Sequence, residues 1–121
     1  MGKFKVGEYV RFNDGNFDKI IDVRDTLGER KLICFEKSNS YLSDTSLKNM
    51  QVKHSKNIID LIEVGDYVNG EKVTEIKEWN FSKDGYFRYA VTCHYEIIRA
   101  DEIKSIVTKE QFAQMEYRVK E

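Results

Sequence analysis

The sequence predicts a mainly β chain made of two tandem small β-barrels related by internal duplication. Two observations support this. Val6-Gly7-Glu8-Tyr9-Val10 returns in the second half of the chain as Val64-Gly65-Asp66-Tyr67-Val68, and each copy is followed by a turn and a second β-rich segment. The rest of the chain, which contains no proline, alternates short runs of β-branched and aromatic residues with turns of Gly, Asn, Asp and Ser.

Further matches follow in the same order in both halves, and the offset between the paired features stays nearly constant. A hairpin carries Cys34 in the first half and Cys93 in the second. Each half then closes with a polar turn that leads into apolar residues, Asp44–Met50 and Ala100–Ile106. Repeats of this kind indicate that one structural unit occurs twice.

Turn residues locate the hairpins. Asn69-Gly70 predicts a type I′ turn, because both central residues of that turn need a positive φ. Asp84-Gly85 predicts a second such turn, after which a strand is expected over Tyr86–Ile98. In the first half, Leu27-Gly28-Glu29 leads into a return strand over residues 31–36.

Each half offers four or five short strands in about 55 residues and ends with one helical turn. This arrangement is typical of an SH3-like barrel, whose closure hides strand edges. Helix is scarce. Thr108-Lys109-Glu110-Gln111 matches a capping box and predicts one short C-terminal helix to about Glu116, with Phe112 and Met115 on one face. Tyr117–Val119 offers a final strand. The predicted fold is therefore two tandem SH3-like small β-barrels with short helical turns and one short C-terminal helix.

The predicted domain boundaries follow from the repeat. Ser55–Ile62 joins the two halves, and its apolar residues fit either a helical turn or a buried strand, which periodicity does not distinguish. We expect a first barrel over residues 1–53, a linker over 54–62 and a second barrel over 63–121.

Composition limits the classes of function. The chain has 121 residues, of which 40% are hydrophobic and 34% charged, as in a globular protein. Its 20 Lys and Arg residues against 21 Asp and Glu residues disfavour tight nonspecific DNA binding. No apolar run is long enough to span a membrane, and the N-terminus lacks the apolar segment of a signal peptide. We expect a cytoplasmic protein with weak or no direct nucleic-acid binding.

Residues suited to catalysis or metal binding are few. Cys34 and Cys93 lie in apolar, strand-like runs and are expected to be buried thiols. With His54 and His94 they lack the paired spacing of a structural zinc site, although the sequence leaves metal binding by these four residues open. Adjacent strand residues point to opposite faces, which disfavours a nucleophile pair of Cys93 and His94. We expect no catalytic residue, no metal, no cofactor and no enzymatic activity.

The segment Trp79–Tyr89 is the most distinctive stretch of the chain, with five aromatic residues in eleven. This exceeds what one face of a strand pair needs for a core. Trp, Tyr and Arg dominate the hot spots of protein interfaces. The alternatives are cross-strand packing that stiffens the hairpin and stacking on nucleic-acid bases. The candidate protein-binding residues in this segment are Trp79, Phe81, Tyr86 and Arg88.

Charge is uneven along the chain. Residues 1–59 carry 11 basic and 8 acidic side chains, for +3, whereas residues 60–121 carry 9 and 13, for −4. Six acids lie between Asp60 and Glu78. An acidic face there would dock into the basic nucleic-acid channel of a nuclease, and the alternative is a solubilising face. The candidate docking residues are Asp66, Glu71, Glu75 and Glu78.

Two segments resemble small proteins from prophages and mobile elements of low-GC Gram-positive bacteria. These are the stretch from His54 to Gly70, which contains IIDLIEVGDYVNG, and Ile103–Phe112, which reads IKSIVTKEQF. The resemblance covers residues 54–76 and 103–119. It implies a biological setting and no active site. Small accessory proteins of that setting include anti-CRISPR proteins and other inhibitors of host defence.

The expected function is therefore a non-catalytic phage or mobile-element protein that inhibits a host defence nuclease of the Cas9 type by direct protein–protein binding. Its partner would be that nuclease or another large protein in the cytoplasm of the bacterial host. The alternatives are a nucleic-acid-binding accessory module of phage replication or transcription and a virion assembly protein. The sequence leaves the partner and the oligomeric state open.

Overall fold

A computed structural model of the chain describes residues 3–28, 30–81 and 85–115, with the backbone alone at 79–81 and 85–87. The chain divides into two compact units, Met1–Leu61 and Ile62–Glu121. Each unit contains one five-stranded antiparallel sheet and short helices. The mainly β class predicted from the sequence is therefore confirmed.

The first unit contains five strands, an α-helix and a 3₁₀-helix. In chain order these are β1 (Tyr9–Arg11), β2 (Phe17–Asp25), β3 (Lys31–Phe35), β4 (Tyr41–Ser43), α1 (Asp44–Asn49), β5 (Lys53–Ser55) and η1 (Ile58–Leu61). The strands are hydrogen-bonded in the order β4–β3–β2–β1–β5. The core of this unit consists of Phe4, Val10, Ile20, Ile33, Phe35, Leu47 and Val52.

The second unit has a similar set of elements. In chain order these are β6 (Tyr67–Val68), β7 (Glu71–Phe81), β8 (Gly85–Thr92), β9 (Ile97–Arg99), the 3₁₀-helix η2 (Ala100–Glu102), β10 (Ile106–Val107) and α2 (Lys109–Gln114). The strands are hydrogen-bonded in the order β10–β6–β7–β8–β9. Apolar side chains buried in this unit include Ile62, Val68, Val73, Ala90 and Ile98.

The two units share one topology. In each, the fifth strand pairs with the first, one short helix joins the fourth strand to the fifth, and another helix follows the fifth strand. The second strand has a register shift at the same place, between Ile20 and Asp22 in the first unit and between Val73 and Glu75 in the second. The repeat seen in the sequence therefore corresponds to a repeat of the fold.

The repeated motif has the same backbone geometry in both units. Gly65 has a φ of 99°, which favours glycine because it has no Cβ. Its N–H donates to the carbonyl of Val73 at 2.9 Å, and the N–H of Val73 donates to the carbonyl of Asp66 at 2.8 Å. The first unit makes the two equivalent contacts at 2.8 Å each, through Gly7, Glu8 and Ile20.

The acidic residue of the motif connects the start of the unit to its end. Asp66 is fully buried, and its carboxylate accepts the N–H of Glu63 at 2.7 Å and that of Lys109, the first residue of α2, at 2.9 Å. Glu8 likewise accepts the N–H three residues before it, at 2.8 Å, and contacts His54 Nδ1 of β5 at 2.9 Å. Each carboxylate thus joins the first strand to the fifth strand or its following helix.

Most of the segment expected as a linker, residues 54–62, has regular secondary structure. Lys53–Ser55 forms β5 beside β1. Ile59 and Leu61 of η1 are buried, so the apolar residues of this segment form a helical turn. This strand and helix correspond to β10 and α2 of the second unit, and the boundary between the units follows Leu61.

Closure of the expected barrels is not found among the described residues. Among the described residues, the end strands β4 and β5 are not paired with each other, and neither are β9 and β10. The strands β4 and β9 have only three residues each, and a helix begins at the next residue. Because the backbone leaves the sheet at that point, each unit is an open five-stranded sheet.

The hairpin turns agree with the sequence in part. Asn69 and Gly70 have φ values of 52° and 82°, which confirms the predicted type I′ turn. The turn predicted at Asp84-Gly85 includes residues outside the described part of the chain. The return strand expected to reach Ile98 ends at Thr92, because a tight turn follows and Ile97–Arg99 forms the separate strand β9.

The C-terminal helix begins as predicted. Thr108 Oγ1 accepts the N–H of Gln111 at 3.2 Å, and Gln111 Oε1 accepts the N–H of Thr108 at 3.0 Å, which completes the capping box. Phe112 stacks on Tyr67 with ring centroids 4.8 Å apart. The strand expected at Tyr117–Val119 lies outside the described residues. Within the described ranges, no helix is both long and apolar enough to cross a membrane.

Replacing Asp66 with alanine tests the role of the buried carboxylate. The change leaves two backbone N–H groups without their acceptor, so we expect the free energy of unfolding to fall by about 3 kcal/mol. Urea unfolding followed by circular dichroism measures this. Glu75→Ala, at an exposed site, is the matched control and should change stability by less than about 0.5 kcal/mol. Equal effects of the two substitutions would contradict the assignment.

Candidate binding surfaces

The predicted aromatic surface lies on the hairpin of β7 and β8. Trp79, Phe81 and Tyr86 lie on the paired backbones of these strands. Their side chains are outside the described part of the structure, so their binding role stays a prediction. The side chain of Arg88 is described and contacts Glu78 across the hairpin, with Nη2 2.6 Å and Nε 3.0 Å from Oε1. These two opposite charges partly neutralise each other.

The four predicted acidic residues do not form one free acidic face. Asp66 is fully buried and holds the fold, so it is not available to a partner. Glu78 pairs with Arg88, and the exposed Glu75 lies 3.6 Å from Lys77 Nζ. Glu71 lines a groove.

That groove of the second unit has a volume of about 700 Å³ and collects a different set of acids. It lies between the β6–β7 turn, β9 and η2. The sequence did not predict three of its four acidic residues as part of a site. They lie far beyond Glu71 along the chain, and only the sheet topology brings them close to Glu71. Its lining residues are Asn69, Glu71, Glu96, Ile97, Ile98, Asp101, Glu102, Lys104 and Ser105.

Side-chain hydrogen bonds fix the walls of this acidic groove. Asn69 Oδ1 accepts the N–H groups of Lys104 and Ser105 at 2.7 and 3.1 Å, and its Nδ2 donates to the carbonyl of Glu102 at 2.9 Å. On another wall, the buried Thr92 hydroxyl accepts the N–H of Glu96 at 3.2 Å. The turns around the groove are therefore held by residues of its own unit.

The carboxyl groups of Glu71 and Glu96 influence each other in this groove. A hydrogen bond with Glu71, and its negative charge, raise the pKa of Glu96 above the ordinary 4.5. The same hydrogen bond lowers the pKa of Glu71, and a further hydrogen bond from His94 lowers it more. One carboxyl group thus keeps its proton to a higher pH while the other stays ionised.

The first unit has a groove at the equivalent place, with different chemistry. It has a volume of about 630 Å³ and lies between the β1–β2 and β3–β4 turns. Asp18 holds the second of these turns, because its carboxylate accepts the N–H groups of Lys37 and Ser38 at 2.8 and 3.1 Å. The apolar residues that line the groove are Phe12, Phe17, Leu42 and Met50.

The two cysteines differ in environment. Cys34 is buried in β3, as predicted, but Cys93 is exposed, so its predicted burial was wrong. The reason is the early end of β8, which places Cys93 in a turn. Its N–H donates to the carbonyl of Lys72 at 2.9 Å, and in the first unit Glu36, not Cys34, makes the equivalent bond to Lys19. The match of the cysteines in the sequence therefore does not reflect structural equivalence.

The same turn brings Cys93 and His94 together. Cys93 Sγ lies 3.6 Å from His94 Nδ1, contrary to the expectation that these neighbours point apart. Glu71 Oε1 contacts that same nitrogen at 2.9 Å. A catalytic triad uses one ring nitrogen for the acid and the other for the nucleophile, so this arrangement differs from a triad. In the described ranges, no group of three or more His, Cys, Asp or Glu residues is arranged to hold a metal ion.

No family model, curated protein or solved structure matches this chain. The resemblance of residues 54–76 and 103–119 to mobile-element proteins therefore stays a prediction from the sequence.

Replacing Glu96 with glutamine tests whether Glu96 and Glu71 share a proton in the acidic groove. The raised pKa in the folded state means that Glu96 adds stability below its ordinary pKa, and that this stability is lost as the pH rises through the folded pKa. Glutamine keeps an N–H donor at every pH.

We therefore expect the thermal midpoint of the wild type to fall, relative to that of Glu96→Gln, as the pH is raised from about 4 to about 7. Glu75→Gln is the matched control and should follow the wild type. Parallel profiles of the wild type and Glu96→Gln would show that the proton is not shared.

Proposed function

We propose that this chain is a non-catalytic binding protein of a phage or mobile element, and that it inhibits a host defence nuclease of the Cas9 type. It acts in the cytoplasm of the bacterial host by direct protein–protein contact. The acidic groove of the second unit docks on a basic surface of the nuclease, such as the channel that holds nucleic acid.

The acidic groove is the observation that carries this proposal. Four acidic side chains and one basic side chain line it, so its local charge is strongly negative. A basic partner would favour ionisation of Glu96 and so bring the full charge of the groove into the complex. Ile97, which is 58% exposed, and Ile98 add an apolar wall, as in the core of many protein interfaces.

Preorganisation of the groove also supports binding. Its walls are already fixed by the hydrogen bonds of Asn69 and Thr92, so docking orders little new backbone. A non-catalytic role is supported by the contacts of His94, since one nitrogen contacts both Cys93 and Glu71. The mobile-element resemblance suggests the setting in which such a partner would be met.

The fold supports a finer interpretation of the two units. The strand order, the helices around the fifth strand and the register shift in the second strand are the same in both. We infer that the units are SH3-like barrels, left open at the end strands, that arose by duplication of one ancestral unit. Equivalent grooves with unlike lining are what duplication followed by divergence would produce.

A nuclease assay tests this function. Cas9 with its guide RNA is mixed with an excess of the protein, and target cleavage is measured. We expect cleavage to fall, and we expect the double variant Glu96→Lys, Asp101→Lys to need at least about tenfold more protein for the same inhibition. Glu36→Lys, at an exposed position of the first unit outside the groove, is the matched control and should inhibit like the wild type.

Several outcomes separate the alternatives. Undiminished cleavage at a large excess of the wild type would remove the nuclease as partner. If the double variant inhibits as strongly as the wild type, the docking site lies outside the groove. A gel shift with DNA that falls steeply with salt would favour the nucleic-acid accessory role, and stable self-association at micromolar concentration would favour virion assembly.

A further inference from the structure

Three of the six residues that line one pocket of the first unit are lysines. This pocket has a volume of about 250 Å³. Phe4 and Ile33, which belong to the core of this unit, form its apolar side. The charged residues that complete the lining are Lys3, Lys31, Asp44 and Lys48.

The single carboxylate of this lysine pocket is already engaged. Asp44 Oδ1 accepts the N–H of Thr45 at 2.8 Å and that of Lys31 at 3.2 Å. These hydrogen bonds hold the Asp44 carboxylate in place, and it keeps its negative charge. Among the described residues, three lysine ammonium groups and this one carboxylate line the pocket, so positive charge is in excess.

The ammonium groups are available to a ligand. Lys31 Nζ lies 3.8 Å from Asp25 Oδ1, a long ion pair whose side chains are 42% and 86% exposed, so it contributes little. The side chains of Lys3 and Lys48 make no hydrogen bond or ion pair with any residue in the described ranges. Since Lys48 is in α1 and Lys31 in β3, two elements of the unit bring these charges to one pocket.

We propose that the lysine pocket binds a phosphate group. A phosphate carries about −1.5 to −2 charge with several acceptor oxygens, which matches several lysine donors at one place. The phosphate belongs either to a small phosphorylated molecule or to a nucleic-acid backbone, and this site is independent of the acidic groove in the other unit.

Titration of the full chain with two probes tests the site. Inorganic pyrophosphate and a single-stranded DNA oligonucleotide are added separately, and amide NMR shifts are followed. We expect at least one probe to shift the amides of Phe4 and Ile33. The double variant Lys31→Gln, Lys48→Gln should weaken its binding by about tenfold or more. The matched control is Lys56→Gln, Lys72→Gln, which removes two exposed lysines outside the pocket and should bind like the wild type.

The two probes distinguish the sources of the phosphate. Tighter binding of pyrophosphate assigns the pocket to a small phosphorylated molecule. Tighter binding of the oligonucleotide assigns the pocket to a nucleic-acid backbone. In that case the pocket variant should also lower, by about 1 to 2, the slope of the logarithm of the binding constant against the logarithm of salt concentration. No binding of either probe, or an equal loss in the control variant, would overturn the proposal. Lys48→Gln alone, at an exposed position, repeats the test if the double variant is unstable.

Discussion

A buried or nearly buried carboxylate at the third position of the repeated motif is the constraint on which each unit depends. The turn before the first strand and the end of the unit are far apart in sequence, and this one side chain contacts both of them. Asp66 does so by accepting an N–H three residues upstream and another at the start of α2. Glu8 does so through its upstream N–H and His54. The preceding glycine permits this geometry because its φ is positive.

The same framework supports two grooves of unlike chemistry. In both units a residue of the second strand or of its partner holds the turn between the third and fourth strands, Asp18 in one and Thr92 in the other. With the turn held, the residues that line the groove are free to vary. The lining of the first groove combines aromatic and aliphatic side chains with polar ones, whereas the lining of the second includes four carboxylates. A common framework with unlike linings fits the proposal that the two units arose by duplication and then diverged.

The charges of the chain are divided between the units. The lysine pocket belongs to the first unit and the acidic groove to the second, so a net charge near zero conceals two local surfaces of opposite sign. Whole-chain charge argued against a strongly basic nucleic-acid binder. Salt screens charges that lie more than about 8 to 10 Å away, so a bound ligand interacts mainly with the charges near its site. An anion site is therefore compatible with a net charge near zero.

The sequence by itself determined the mainly β class, the repeat, the type I′ turn at Asn69-Gly70 and the capping box at Thr108, because each depends on residues close together in the chain. Only the tertiary structure decided the open sheets, the inclusion of residues 54–61 in the first unit, and the acidic groove. Glu96, Asp101 and Glu102 join Glu71 there because the strand order returns distant segments to one turn. Burial of Asp66 was also decided by contacts between distant segments, which local spacing does not encode, and exposure of Cys93 follows from the turn that ends β8.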